Sequence, residues 1–214
     1  MPQIATSACP QCGRHRARRR RASAAYVPSS PGCWMTSGEV QAEEIRRVRY
    51  PAAHRLTVDA YMAQHPGDGT DRRDRQSVFL HLLGLCAVLE CGLPPDLVTA
   101  IFGRLRRRSA GFPALYRASG PGELTVTSLI GSPDLIDYER RARRWAAAVW
   151  RTWTEPHALI RQTLSRVPER LERPRCHTAR PAGLSARGAT RFTAPAPRAQ
   201  HQPAHTLRST LGRL

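Results

Sequence analysis

Between Val78 and Leu89 only His81 and Gly84 interrupt a run of apolar side chains. A helix that is apolar on every side is one surrounded by protein, so this run predicts the central helix of a packed core. It is too short to cross a bilayer, which takes roughly 20 apolar residues. Asp74 or Ser77 can cap its start, Gly92 follows its end as a left-handed stop, and Pro94-Pro95 forbids continuation.

The segment before it is more mixed. Over His54 to His65 a helical period puts Leu56, Asp59, Ala60 and Ala63 on one face, and His54, Val58, Tyr61 and His65 on another. Asp59 therefore points with apolar neighbours. If the two segments form an antiparallel helical hairpin closed by the Pro66 to Arg73 loop, residues equally far from the turn meet, which sets Asp59 level with His81. A buried Asp59–His81 hydrogen bond is expected. His54 and His65 are eleven residues apart, about 16 Å along a helix, and cannot share one ion while that helix is intact.

A chain of 214 residues can bury a core without staples. Its net charge of +18 suggests nucleic acid until it is located along the chain. Residues 1–25 hold six Arg and no acid, and residues 166–214 hold ten Arg and two Glu, so the excess is mainly terminal. There is no lysine, and the wealth of Arg and Ala reflects GC-rich coding as much as a basic surface. Met1 to Ala8 lacks the charged start and apolar stretch of a secretory leader, so the six cysteines are read in a reducing cytoplasm, as ligands or redox groups rather than as bridges.

Cys9-Pro10-Gln11-Cys12-Gly13 has the spacing of a zinc knuckle, with two thiolates on one turn shaped by Pro and Gly. A knuckle is half of a tetrahedral site. Cys33, in Ser30-Pro31-Gly32-Cys33-Trp34, is the natural third ligand, and His54 or His65 would be the fourth, tying the amino-terminal loops to the hairpin. Arg14 to Arg21 reads as a solvated arm, with phosphate binding the minority reading. Cys86 and Cys91 fall among core residues, and Cys176-His177 lies in a stretch without periodicity.

Further along, Glu39 to Arg49 predicts a short helix, and Tyr50-Pro51 introduces the His54 helix. From Asp96, residues Leu97, Val98, Ile101, Phe102 and Leu105 recur at amphipathic spacing and end in Arg106 to Arg108, where basic charge suits a helix dipole. Gly111-Phe112-Pro113 and Ser119-Gly120-Pro121-Gly122 connect, and Leu124 to Ile130 is a short helix or strand. Asp137 to Trp153 predicts a third strong helix, with Ala142, Trp145, Ala146, Val149, Trp150 and Trp153 in one stripe opposed by arginines. Pro156 suits the first turn of a last helix, with His157 a surface residue near its start. Beyond Val167 large apolar residues thin out, which predicts disorder. The expected organisation is a knuckle and basic arm in 1–25, a mainly α, single helical domain in 26–167, and a disordered tail in 168–214.

Cys9 to Gly13, Ser30 to Trp34, the string His54-Arg55-Leu56-Thr57-Val58-Asp59-Ala60-Tyr61, then Gln64-His65-Pro66 and Gln76 to Leu82 together resemble a bacterial family of uncharacterised proteins, a domain of unknown function. The resemblance covers about residues 9 to 165 and implies no activity. The arginine run after Gly13 and the tail depart from its pattern.

Three functions follow. The first is a zinc-binding helical protein, a binding or regulatory module whose Cys9, Cys12, Cys33 and one histidine close a structural site with no vacancy for water. The second is a hydrolase-like metal enzyme, with His54, Asp59, His65 and His81 around a pocket and an open position that activates water. The third is nucleic-acid binding through the basic termini, which no recognition-helix motif supports.

Overall fold

The structure is a computed structural model that describes residues 6–13, 15–17, 27–46, 51–108, 111–117 and 119–166. The chain divides into two units, Met1–Thr178 and Ala179–Leu214, and every described residue belongs to the first. The expected disorder of 168–214 and the basic run at 18–21 lie outside the described residues.

The protein is mainly helical. A two-stranded antiparallel hairpin, β1 (Thr6–Ala8) and β2 (His15–Ala17), precedes six helices among the described residues: α1 (Pro31–Arg46), α2 (Pro51–Gln64), α3 (Arg72–Leu89), α4 (Pro95–Arg108), α5 (Leu135–Arg151) and α6 (His157–Ser165). The Leu124 to Ile130 stretch resolves as a 3-10 turn over Val126–Leu129.

The α2–α3 hairpin is the centre. α2 packs most extensively against α3 and α5, and also meets α1 and α4; α6 lies on α3. Leu82, Leu83, Leu85, Cys86 and Ala87 of α3 are fully buried, as the unbroken apolar run requires. α3 begins earlier than its apolar run suggests. Its cap is Asp71, which accepts from the Arg73 N–H at 2.7 Å, in place of Asp74 or Ser77, because a polar first turn at the surface needs no apolar period to be helical. Its end is as expected: Gly92 takes φ 65° and the Leu93 N–H returns to the Ala87 carbonyl at 2.9 Å.

α1 is longer than the expected Glu39–Arg49 helix and starts at the segment read as a loop. Ser30 Oγ accepts from the Cys33 N–H at 3.3 Å and Pro31 occupies the first helical position, a capped start that carries Cys33 into the first turn.

The tryptophan stripe closes the core from α5. Trp145 and Trp153 are fully buried; Trp145 Nε1 donates to Gln64 Oε1 at 3.3 Å and Trp153 Nε1 to the Ala63 carbonyl at 3.2 Å. His157, expected at the surface, is half-buried: it stacks on Trp150 with centroids 3.7 Å apart, and its Nε2 lies 3.0 Å from the Trp150 carbonyl. Glu90, past the end of α3, accepts from Trp150 Nε1 and from both arms of Arg161, which fixes α6 to α3.

Candidate metal centre

Three separate pieces of chain converge on one point. The β1–β2 turn supplies Cys9 and Cys12, and its shape comes from Gly13, which at φ 71° allows its N–H to reach the Cys9 carbonyl at 2.9 Å. The first turn of α1 supplies Cys33. The residue just past α2 supplies His65. The three sulfurs and one imidazole nitrogen all lie within 4.8 Å of one another, and all four residues are buried.

The pairwise geometry is close. Cys12 Sγ is 3.8 Å from Cys33 Sγ, and Cys33 Sγ is 3.4 Å from His65 Nε2. His65 Nδ1 faces the Tyr61 carbonyl at 2.7 Å. A carbonyl accepts only, so the proton sits on Nδ1 and the Nε2 lone pair is turned toward the sulfurs, the orientation in which ligating histidines are held. The Ser30 N–H donates to Cys9 Sγ at 3.4 Å and the Tyr61 hydroxyl to Cys33 Sγ at 3.8 Å, so the sulfurs have partners beyond one another.

Crowded thiols oppose one another electrically. Hydrogen bonds from Cys12, then Cys33, hold the Cys9 thiol well below the ordinary thiol range, while the same neighbours, Cys12 first, together with burial push Cys33 well above it. Burial works against a charged His65, but its bonds to the Cys12 and Cys9 thiols outweigh that and raise it to about 9. Tyr61 is raised by burial and by charge at Cys33. A cation at the centre would let all three sulfurs ionise together and would hold the imidazole neutral. The buried Cys3His group is compatible with a metal ion in spacing, in donor type and in charge.

His54 is not part of this group. It lies eleven residues before His65, near the start of α2, where its Nδ1–H donates to Glu44 Oε2 at 2.6 Å. Glu44 is buried on α1 and also accepts from the hydroxyls of Thr57 (2.8 Å) and Tyr138 (2.5 Å). Of the two candidate fourth ligands, the fold thus delivers His65 to the sulfurs and His54 to a carboxylate, as the helical spacing between them requires.

The Glu44 bond holds the His54 pKa above its ordinary value against the opposing effect of burial. A folded-state pKa raised above the unfolded one means that the stabilisation is fully present below the unfolded value of about 6.5 and is lost as pH rises through the folded value. The melting temperature of His54→Gln should therefore fall short of the wild type by a margin that is widest near pH 6 and narrows on the alkaline side, as read by thermal melts of both proteins across about pH 5 to 9.

Asp59 and His81 meet across the hairpin, with His81 Nδ1 2.7 Å from Asp59 Oδ1. Asp59 has no exposed surface and is also gripped by both arms of Arg55, one turn earlier on α2, whose guanidinium lies 4.1 Å over the Phe102 ring. The carboxylate is thereby paired on both oxygens. His54, Asp59, His65 and His81 do not assemble into one cluster: among the described residues Cys9, Cys12, Cys33 and His65 are the one group of three or more such donors close enough to hold an ion. The expected pocket ringed by His54, Asp59, His65 and His81 is thus replaced by three separate polar clusters.

Several structural polar residues escape a reading by motif. Gln64, fully buried beside His65, donates through Nε2 to the Pro121 and Leu124 carbonyls at 2.7 and 2.8 Å, fastening the loop from 119 to 125 to the end of α2. Its sequence signal is its place in Gln64-His65-Pro66. Glu44, Thr57 and Tyr138 come from three helices and have no local pattern.

Fold and site together define a helical protein with a buried three-cysteine, one-histidine group joining its amino-terminal turn to its helical core. Residues 7–154 match the family described as Family of unknown function (DUF5946), and the chain belongs to that family. Neither a curated protein nor a solved structure matches it. Among the described residues no helix is long and apolar enough to cross a membrane.

Proposed function

We propose that this is a zinc protein in which Cys9, Cys12, Cys33 and His65 close a structural or regulatory site, and that the helical body serves as a binding or regulatory module. The observation that carries this reading is the convergence of four buried donor atoms, from three segments distant in sequence, within 4.8 Å. Three thiolates and an imidazole favour zinc over the hard, oxygen-seeking cations. Four protein ligands leave no position for an activated water, which sets this reading against hydrolysis at the ion. The free thiols of Cys9, Cys12 and Cys33 suit a reducing cytoplasm, whereas Cys91, expected as a plain core thiol, is disulfide-bonded.

Metal content of purified variants tests it. His65→Ala should lower bound zinc by about tenfold or more under competition with a chelator, while His54→Ala should retain it stoichiometrically. Equal loss in both, or metal retained after Cys9, Cys12 and Cys33 are all replaced by Ser, would transfer the metal to other residues. Nucleic-acid binding through residues 1–25 and 166–214 is the separate proposal that the charge distribution suggests, and it predicts affinity that falls steeply with salt and is lost when both ends are removed.

A further inference from the structure

A second site borders the metal centre without sharing its ligands. A cavity of about 200 Å³ opens between the cysteine turn, the loop joining α2 to α3, and the segment 115–117; Gln11, Pro66, Asp74, Arg75, Tyr116 and Arg117 are among its lining residues. That volume is below the roughly 300–1,000 Å³ that takes drug-sized molecules, so its occupant is small. Leu115 lines it with the buried Val78 and Trp153 behind, and Tyr116, 71% exposed, stands at its surface.

Its charges are of both signs and are not spent on each other. Arg117 makes one hydrogen bond among the described residues, from Nη1 to the Gln64 carbonyl at 3.3 Å, although a guanidinium carries five donors. Burial pulls its pKa down, partly offset by charge at Cys12. Asp74 is in no ion pair among the described residues; its carboxylate lies against the backbone of Gly67 and Asp68, and burial, then Asp71 and Asp68, raise its pKa. Arg75, by contrast, is occupied: its Nη1 donates to the Gly69 and Thr70 carbonyls and braces the loop. One wall thus offers an under-used planar donor fork, and another an acceptor without a cation. Each charged form is disfavoured as it stands, and each would be relieved by an opposite charge in the cavity.

From this placement we infer that the cavity binds a small zwitterion, an α-amino acid with a small apolar side chain, whose carboxylate pairs with Arg117, whose ammonium pairs with Asp74, and whose side chain meets Leu115 and Tyr116. Gln11 lies between the two knuckle cysteines and Pro66 follows His65, so the ligand would sit against the backbone that carries three of the four clustered donors.

Calorimetric titration of the full-length, metal-loaded protein tests this, with L-alanine and L-valine as probes and propionate and ethylamine as analogues carrying one charge each. Binding of either amino acid is expected, weakened by about tenfold or more for each single-charge analogue and in Arg117→Gln and Asp74→Asn. Metal content should stay at the wild-type level in both variants, which separates loss of the ligand from loss of the metal centre. Tyr116→Ala, at an exposed position, gives a second reading should either charge variant fail to fold, with binding weakened and helicity kept. No heat with either amino acid up to about 10 mM, or affinity unchanged in all the folded variants, would overturn the assignment.

Discussion

Replacing Cys33 by Ser is expected, on the proposed zinc site, to abolish metal binding and to lower the melting temperature by about 10 °C or more. Structural zinc supplies roughly 10–16 kcal/mol to small peptides that have no other core. Here the loss is smaller than that, because α2, α3 and α5 bury Leu82, Leu83, Trp145 and Val149 against one another without help from the sulfurs. What the proposed ion would hold is the attachment of the cysteine turn and the start of α1. Far-UV circular dichroism should therefore retain most of its helical signal, while limited proteolysis should cut before α2 in the variant and not in the wild type. Cys86→Ser is the control. Its thiol is fully buried, pushed up to about 12 by burial and by Glu90, and stands outside the cluster, so its metal content should be unchanged.

Gly84→Ala is expected to destabilise the protein by about 3 kcal/mol or more, although the same change in an exposed helix gains about 1 kcal/mol. The reversal comes from what lies opposite. A Cβ on Gly84 would overlap Asp59 Oδ2 and would stand 2.8 Å from Asp59 Cγ and 3.0 Å from Phe102 Cζ. Asp59 cannot yield cheaply, since both of its oxygens are bonded, one toward His81 and both to Arg55, and the residue has no exposed surface. Moving it breaks a buried ion pair, for which about 3–5 kcal/mol is the usual cost. Urea denaturation at neutral pH measures the difference. A variant as stable as the wild type would mean that the α2–α3 contact has slack that the structure does not contain.

Gly84 also shows why the hairpin was legible in the sequence. A continuous apolar run, a glycine stop and a loop of Pro and Gly between two helical patterns fix both helices and their antiparallel pairing, and equal distance from the turn then sets Asp59 beside His81. Arg55 was also within reach, since it precedes Asp59 by one helical turn.

α1 was less legible because its inner face is polar. Cys33, Thr36, Ser37, Val40 and Glu44 are its buried residues, at good helical spacing, but only one of them is a large aliphatic, so hydrophobic periodicity passes over the first two turns. A start signal is present in Ser30-Pro31, but Gly32 directly after it interrupts the helical pattern. That difference decides the site. Once α1 begins at Pro31, its first turn brings Cys33 to His65 and its last turns carry Glu44 to His54. The sequence could offer both histidines as ligands, but the choice between them depends on where a helix with no apolar signature places a buried glutamate.

X-ray absorption at the zinc edge of the purified, full-length protein tests the metal centre most directly. A first shell of three sulfurs at about 2.3 Å and one nitrogen at about 2.0–2.1 Å, with the nitrogen lost in His65→Ala and kept in His54→Ala, is the predicted result. A shell of nitrogen and oxygen alone, or protein that purifies without metal and keeps its wild-type melting temperature in strong chelator, would contradict it.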